Sequence, residues 1–306
     1  MPQRQGSIRL FRFLGVEVFL HWSWFVVAVF EIQARVGRYS SVAWNVLEYL
    51  ALFAIVLTHE YGHALACRQV GGRADRIVLW PLGGVAYVDP PQRPAATLWS
   101  IAAGPLVNVV LLPVFFGLTV ISSAAKWDQS RPNLDAFLFS IMMIDAVLLA
   151  FNILPVYPLD GGQILRSLLW FGIGRARSLT VATLVGFVGI AGLFLLAIRS
   201  GSVWLGIMAV FLVLNCWAGL KHSLHLLRLG RLPHRSGFHC PWCHAQPPIG
   251  RFWVCPSCGT IVDLFESHGT CSYCSTVAPQ ILCVECGHPN AIERWMTPQE
   301  LAAANS

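Results

Sequence analysis

Hydrophobic residues run through this chain in long, nearly unbroken stretches instead of the short alternations of a soluble fold. Six stretches approach the roughly 20 residues that cross a bilayer as a helix, at about 16–32, 43–67, 97–122, 135–155, 178–198 and 203–222. The pattern predicts an all-α polytopic membrane protein with six transmembrane helices. The opening MPQRQGSIRLFRFLGVEVFLHWSWFVVAVF has a basic lead, a long apolar run and no small-residue cleavage site, so it reads as a first span that stays attached. Two segments interrupt the apolar pattern. THEYGHALA (58–66) places two histidines and a glutamate in the second stretch, and RIVLWPLGGVAYVD (76–89) alternates poorly for a helix and contains Pro81 and a Gly83-Gly84 turn.

Composition agrees with a bilayer as solvent. Of 306 residues, 56% are hydrophobic and 12% charged, about half the charged share of a soluble protein, and mean hydropathy is +0.60. Lys and Arg accumulate on the cytosolic side of membrane proteins. Fourteen fall in the N-terminus, the second and fourth connections and the segment after the sixth span, against five on the other side. Both termini are therefore expected in the cytosol, in a bacterial-type cell membrane.

Charge also divides the chain. Residues 1–235 carry 19 basic and 10 acidic side chains, whereas 236–306 carry 2 and 5. The basic excess thus belongs to the membrane part and its contact with anionic headgroups. Eight of the ten cysteines lie between Cys240 and Cys286, and in a reducing cytosol these read as metal ligands, not disulfides. The expected organisation is a membrane domain at 1–230, a linker at 231–238 containing HRSGF, a cysteine-rich domain at 239–290 and a tail at 291–306.

His59, Glu60 and His63 form an HExxH pattern. Positions four apart share a helix face, so both imidazoles can address one metal ion with Glu60 beside it. Zinc so bound lowers the pKa of water to near 7, and a neighbouring carboxylate can take the proton as the water attacks a carbonyl. Ionisable residues within a span are costly and face a cavity or a partner. A third ligand is expected from FNILPVYPLDGGQIL (151–165). Asp160 is acidic at the edge of an apolar run, follows two prolines that stop a helix, and precedes two glycines that allow a sharp turn. Cys67 shares the face of His63 but lies one turn beyond it and reads as a buried structural cysteine. Asp145 and Glu48 are further intramembrane carboxylates, open to roles in helix association or as partners of a ligating histidine.

With HEYGH on the second span and NILPVYPLDGG after the fourth, the sequence closely resembles the site-2 protease family of intramembrane zinc metalloproteases, particularly its compact six-span sporulation-type branch. The resemblance covers roughly residues 10–222. It implies that His59, His63 and Asp160 bind the catalytic zinc, that Glu60 is the base, and that Asn152 bonds the substrate or the oxyanion, with Pro158 as the second proline of the motif. RIVLWPLGGVAYVD resembles the family's re-entrant β-hairpin, which would hold an unwound substrate by strand addition and makes Gly83, Gly84 and Pro158 candidate substrate-binding positions. GPLVN (104–108) resembles the family's GxxxN element, in which Gly104 permits close helix approach and Asn108 bonds across helices; helix packing is the favoured reading. GVEVFLHWSW (15–24) resembles the family's first span, and His21, four residues after Glu17, is expected to pair with it locally. No PDZ-like insertion and no CBS-type domain is visible.

The tail carries CPWC (240–243), CPSC (255–258), CSYC (271–274) and CVEC (283–286). Four such knuckles make two tetrahedral four-cysteine sites of structural type. The glycine after the second and fourth knuckles suggests consecutive units, Cys240, Cys243, Cys255 and Cys258, then Cys271, Cys274, Cys283 and Cys286; a cross-braced pairing is the alternative. The region resembles the double zinc ribbon family and is expected to form a small β-rich domain. Its net negative charge argues against nucleic acid and leaves protein docking, a lid or stability of the module as roles.

These readings predict three zinc ions, one catalytic and two structural. They describe an endopeptidase hydrolysing a peptide bond in or near the transmembrane segment of a membrane protein substrate, as in regulated intramembrane proteolysis. The alternative is a catalytically silent metal-binding adaptor or sensor that recruits partners through the ribbons.

Overall fold

The computed structural model describes residues 6–35, 37–80 and 83–297. The chain forms two compact units, Met1–Leu220 and Lys221–Ser306. In chain order the elements up to residue 229 are β1 (Ser7–Phe13), β2 (Val16–His21), α1 (Ser23–Ala34), α2 (Val42–Gln69), β3 (Arg73–Trp80), β4 (Gly83–Asp89), α3 (Pro94–Ala124), the single turn α4 (Trp127–Ser130), α5 (Pro132–Ile153), α6 (Asp160–Ile173), α7 (Arg175–Ser200) and α8 (Val203–Leu229), whose last residues fall in the second unit.

Five of these helices, α2, α3, α5, α7 and α8, are long and apolar enough to cross a membrane. The expected sixth, at 16–32, is corrected by the structure. Val16 and Val18 are fully buried while Glu17 between them is not, which is the period of a half-buried strand. β2 pairs antiparallel with β1 and parallel with β3, so only the 12 residues of α1 stay helical. At 1.5 Å per residue they span about 18 Å, short of a hydrocarbon core of roughly 30 Å. The same change removes the expected pairing of Glu17 with His21, because residues four apart are remote along a strand. Glu17 instead meets Arg9 across the β1–β2 ladder at 3.2 Å, and His21 bonds the Ser23 hydroxyl at 2.5 Å.

The segment 76–89 does form a hairpin, but as half of a four-stranded sheet of order β1-β2-β3-β4. Pro81, in the expected turn, lies outside the described residues. Val16, Val18, Ile77 and Leu79 pack against Val56, Ala64 and Cys67 of α2, so the sheet covers one flank of that helix. Cys67 is buried with its thiol toward the Arg73 carbonyl at 3.4 Å, as a packing cysteine. On another flank α2 meets α3 at backbone distance: a Cβ on Gly62 would stand 2.7 Å from the Ala103 carbonyl.

The second unit contains two short hairpins, β5 (Trp253–Val254) with β6 (Ile261–Val262) and β7 (Ile281–Leu282) with β8 (Pro289–Asn290), followed by a 3-10 turn at Ile292–Arg294. Phe265 is the centre of its core, edge-on to Phe238, Trp253 and Trp295 at 5.3, 4.9 and 4.9 Å. Residues assigned from sequence to the linker and the tail therefore belong to the packed module. Phe238 bridges to Met296, His234 bridges to Pro248, and Arg235 pairs with Asp263 at 2.6 Å.

Candidate metal centres

On α2, His59, Glu60 and His63 are all buried. His59 Nε2 and His63 Nε2 stand 3.1 Å apart, and Asp160 Oδ2 lies 3.1 and 3.3 Å from them. Asp160 reaches them because the chain doubles back between α5 and α6. A Cβ on Gly161 would lie 2.1 Å from the Ile153 carbonyl, and one on Gly162 2.4 Å from the Tyr157 amide nitrogen. Only glycine lets α6 start this close to the end of α5. The carboxylate also sits in the first turn of α6, where the helix dipole favours a negative charge.

The far side of each ring is held by a hydrogen-bond acceptor. His63 Nδ1 donates to the Ser100 carbonyl at 2.9 Å, and His59 Nδ1 donates to Asn108 Oδ1 at 2.6 Å. A proton fixed on Nδ1 leaves the Nε2 lone pair directed at the shared centre, the form of histidine that ligates metal. Asn108 is itself oriented by Asp145, whose Oδ1 accepts from Nδ2 at 2.6 Å, and both residues are fully buried. Space is reserved as well: a Cβ on Gly104 would fall 2.3 Å from His63 Nε2 and 2.8 Å from His59 Nε2. Two Nε2 donors, one carboxylate oxygen and a glycine that keeps their meeting point clear fit a divalent ion such as zinc.

Glu60 projects beside this trio toward the sheet. Its Oε2 accepts from the Ala86 amide of β4 at 2.8 Å, and a Cβ on Gly84 would lie 2.3 Å from its Cγ. Since Ala86 stands opposite Ile77 in the ladder, an amide turned to Glu60 marks the open edge of β4. Of the expected substrate-binding positions, Gly84 is thus against the base. Gly83 pairs with Trp80 at the hairpin end, and Pro158 lies in the α5–α6 turn, where its carbonyl accepts from Gln163 at 2.9 Å. Asn152 occupies the last turn of α5, half-buried. Among the described residues no hydrogen bond joins it to His59, His63 or Asp160.

The two carboxylates left open by the sequence separate. Asp145 joins the histidine network through Asn108, a link that the packing reading of GPLVN missed. Glu48 lies about 16 Å away along α2, in its own buried cluster with Arg35 and the Tyr39 hydroxyl.

The sequence profile of peptidase family M50 matches residues 48–129 and 120–196, which contain His59, Glu60, His63, Asn108, Asp145 and Asp160. The putative zinc metalloprotease YwhC of Bacillus subtilis is 35% identical over 191 residues, covering 52% of this chain and 86% of YwhC. The chain belongs to peptidase family M50. Other relatives of this M50 chain include the zinc metalloprotease MJ0392 of Methanocaldococcus jannaschii, 28% identical over 225 residues, or 73% of the chain and 62% of MJ0392. The putative zinc metalloprotease sll0528 of Synechocystis is 29% identical, with 61% of its length covered. The M50 chain thus spans about three fifths of the first of these curated relatives. Among solved structures, a site-2 protease from Methanocaldococcus jannaschii superposes with a TM-score of 0.52 at 26% identity, over 70% of this chain and 95% of that one. Together with the five apolar helices, these matches make it an integral membrane protein.

Beyond the M50 match lie two cysteine clusters, Cys240, Cys243, Cys283 and Cys286, and Cys255, Cys258, Cys271 and Cys274, each with its sulfurs within 4.8 Å of one another. The expected consecutive pairing is therefore wrong, and so is the cross-braced alternative. The outer knuckles join each other around the inner two. The cause is that each knuckle is a self-contained turn. In all four the first cysteine's amide donates to the carbonyl five residues on, and its own carbonyl accepts from the amide four residues on. The residue at that fourth place has positive φ in every case: His244, Gly259, Ser275 and Gly287. A glycine there marks knuckle geometry and carries no information about which knuckle is the partner. The first cysteine of every knuckle is buried in one shared core with Phe265 and Ile281. In the inner cluster the Thr276 hydroxyl and amide bond the Cys274 sulfur and draw its pKa down to about 6, favouring the thiolate that a metal needs.

Proposed function

We propose that this chain is a membrane-embedded zinc endopeptidase that hydrolyses a peptide bond in or near the transmembrane segment of a membrane protein substrate. The observation that carries the reading is the convergence of His59 Nε2, His63 Nε2 and Asp160 Oδ2 beside Glu60, on a helix otherwise apolar enough to span a bilayer. Zinc held by these three groups would act as a Lewis acid and lower the pKa of water to near 7. Glu60 takes the proton of the attacking water and returns it to the departing amide nitrogen. Asn108, Asp145 and the Ser100 carbonyl hold the two imidazoles in the ligating tautomer. The open edge of β4 receives the substrate main chain as an added strand, which sets the scissile carbonyl beside Glu60. Asn152 donates its side-chain amide to the charge developing on that carbonyl oxygen.

The nested cysteine clusters would hold two further zinc ions in sites of structural type, giving three per chain. The Lys and Arg of the α2–α3 and α5–α7 connections and of the segment after α8 support the cysteine-rich unit in the cytosol and the cut toward that face, whereas five crossing helices would put the N-terminus on the other side.

Co-expression with candidate single-span substrates tests the reading. Wild type should cleave, and Glu60→Gln should abolish cleavage while the purified variant keeps three zinc ions. Cleavage retained by Glu60→Gln would remove the mechanism. A wild-type content of two zinc ions, unchanged by His59→Ala, would remove the membrane site.

A further inference from the structure

The corner between α6 and α7 gathers arginines that no carboxylate among the described residues pairs with. α7 begins at Arg175 after Gly174, with no acid in its first turn and no side-chain cap. Arg175 and Arg177 stand there instead, at the helix end whose dipole and free amides favour an anion. A third arginine arrives from α6: the guanidinium carbons of Arg166 and Arg175 lie 5.8 and 5.9 Å from the centre of the Trp170 ring. Both arginines keep a buried Nε without a hydrogen-bond partner. Among the described residues no carboxylate pairs with Arg166, Arg175 or Arg177. Burial lowers the pKa of Arg166; Tyr157 opposes that shift and the like charge of Arg175 adds to it.

Gathering like charges, removing donors from water and leaving a helix start uncapped are each unfavourable. One ligand relieves all three. A phosphate group accepts from planar guanidinium forks and from helix N-terminal amides alike. Leu168 and Phe171 of α6 are more than half exposed close by, an apolar border suited to acyl chains.

We propose that Arg166, Trp170, Arg175 and the uncapped first turn of α7 form a binding site for a phosphate-bearing anion, supplied by an anionic phospholipid headgroup or by free phosphate.

Native mass spectrometry of the full chain in detergent tests this with phosphatidylglycerol and phosphatidylcholine, and equilibrium binding of radiolabelled inorganic phosphate tests the second source. Saturable retention of one phosphatidylglycerol per chain, in preference to phosphatidylcholine, assigns the site to lipid. Phosphate binding without that preference assigns it to the free ion. Either way R166Q/R175Q should weaken binding about twenty-five-fold, at about five-fold per arginine, and the charge-matched control R12Q/R93Q should not. If the double variant does not accumulate as folded protein, R175Q alone is read, with about a five-fold loss expected. Binding unchanged by these substitutions, equal loss in R12Q/R93Q, or neither lipid preference nor phosphate binding would overturn the site.

Discussion

His59 and His63 differ in what fixes the far nitrogen of each ring, and the difference sorts their neighbours. His63 leans on a main-chain carbonyl, that of Ser100, whereas His59 leans on the side chain of Asn108. An asparagine can present either its oxygen or its nitrogen. Asp145, which only accepts when ionised, turns the nitrogen of Asn108 toward itself and so the oxygen toward His59. Asn108→Ala should therefore weaken zinc binding by roughly 10- to 100-fold. Asp145→Ala should act in the same direction, and Ser100→Ala should leave affinity unchanged; competition with a chromophoric chelator measures all three. Gly104→Ala places a methyl group where the ligand atoms converge. It should cost one zinc per chain by elemental analysis while the cysteine-bound metals remain. HEYGH and LDGG were legible in the sequence because each packs its chemistry into a few adjacent residues. The Asn108–His59 contact was not, since GPLVN looks the same whether its asparagine faces another helix or a ligand.

At the scale of elements, β4 couples the sheet to the chemistry. Its Ala86 amide faces Glu60, so this position is an edge donor that the β3 ladder does not use. Ala86→Pro removes that donor and blocks strand addition without breaking a ladder bond. Zinc content should be retained while cleavage of a co-expressed substrate falls about ten-fold or more, roughly the loss of one charge-assisted hydrogen bond. The strand character of 16–21 was visible in principle, because Glu17 sits between two buried valines. It was overridden by the length of the apolar run around it, which a short strand followed by a short helix imitates. The knuckles were legible one at a time, and their pairing was not, because all four are alike as local turns and their packing involves residues outside them, such as Phe265 and Ile281. Replacing Cys240 and Cys243 by serine should release one metal, and adding Cys283→Ser and Cys286→Ser should release no more. A consecutive arrangement would release two, and zinc analysis of the two variants separates the cases.

For the molecule as a whole, much of the surface of the membrane unit is apolar: Val188 and Ile198 on α7 are each 75% exposed, which suits a lipid boundary and no aqueous one. Inside that boundary the ionisable groups gather where several helices and a sheet edge can satisfy one another. The cysteine-rich unit meets a different demand, and the two zinc ions proposed for it would add closure to its aromatic core. Its nested arrangement has a consequence in time. The inner cluster joins cysteines 13 residues apart, Cys258 and Cys271, and the outer joins Cys243 and Cys283, 40 apart. Closing the longer loop in an unstructured chain costs about 1 kcal/mol more. Once the inner cluster is loaded, the intervening chain is already drawn in and that difference shrinks. If each cluster takes one zinc ion, as proposed, the inner should load before the outer by about five-fold, and zinc titration of the metal-free chain should pass through a half-loaded species with its first and last knuckles still apart.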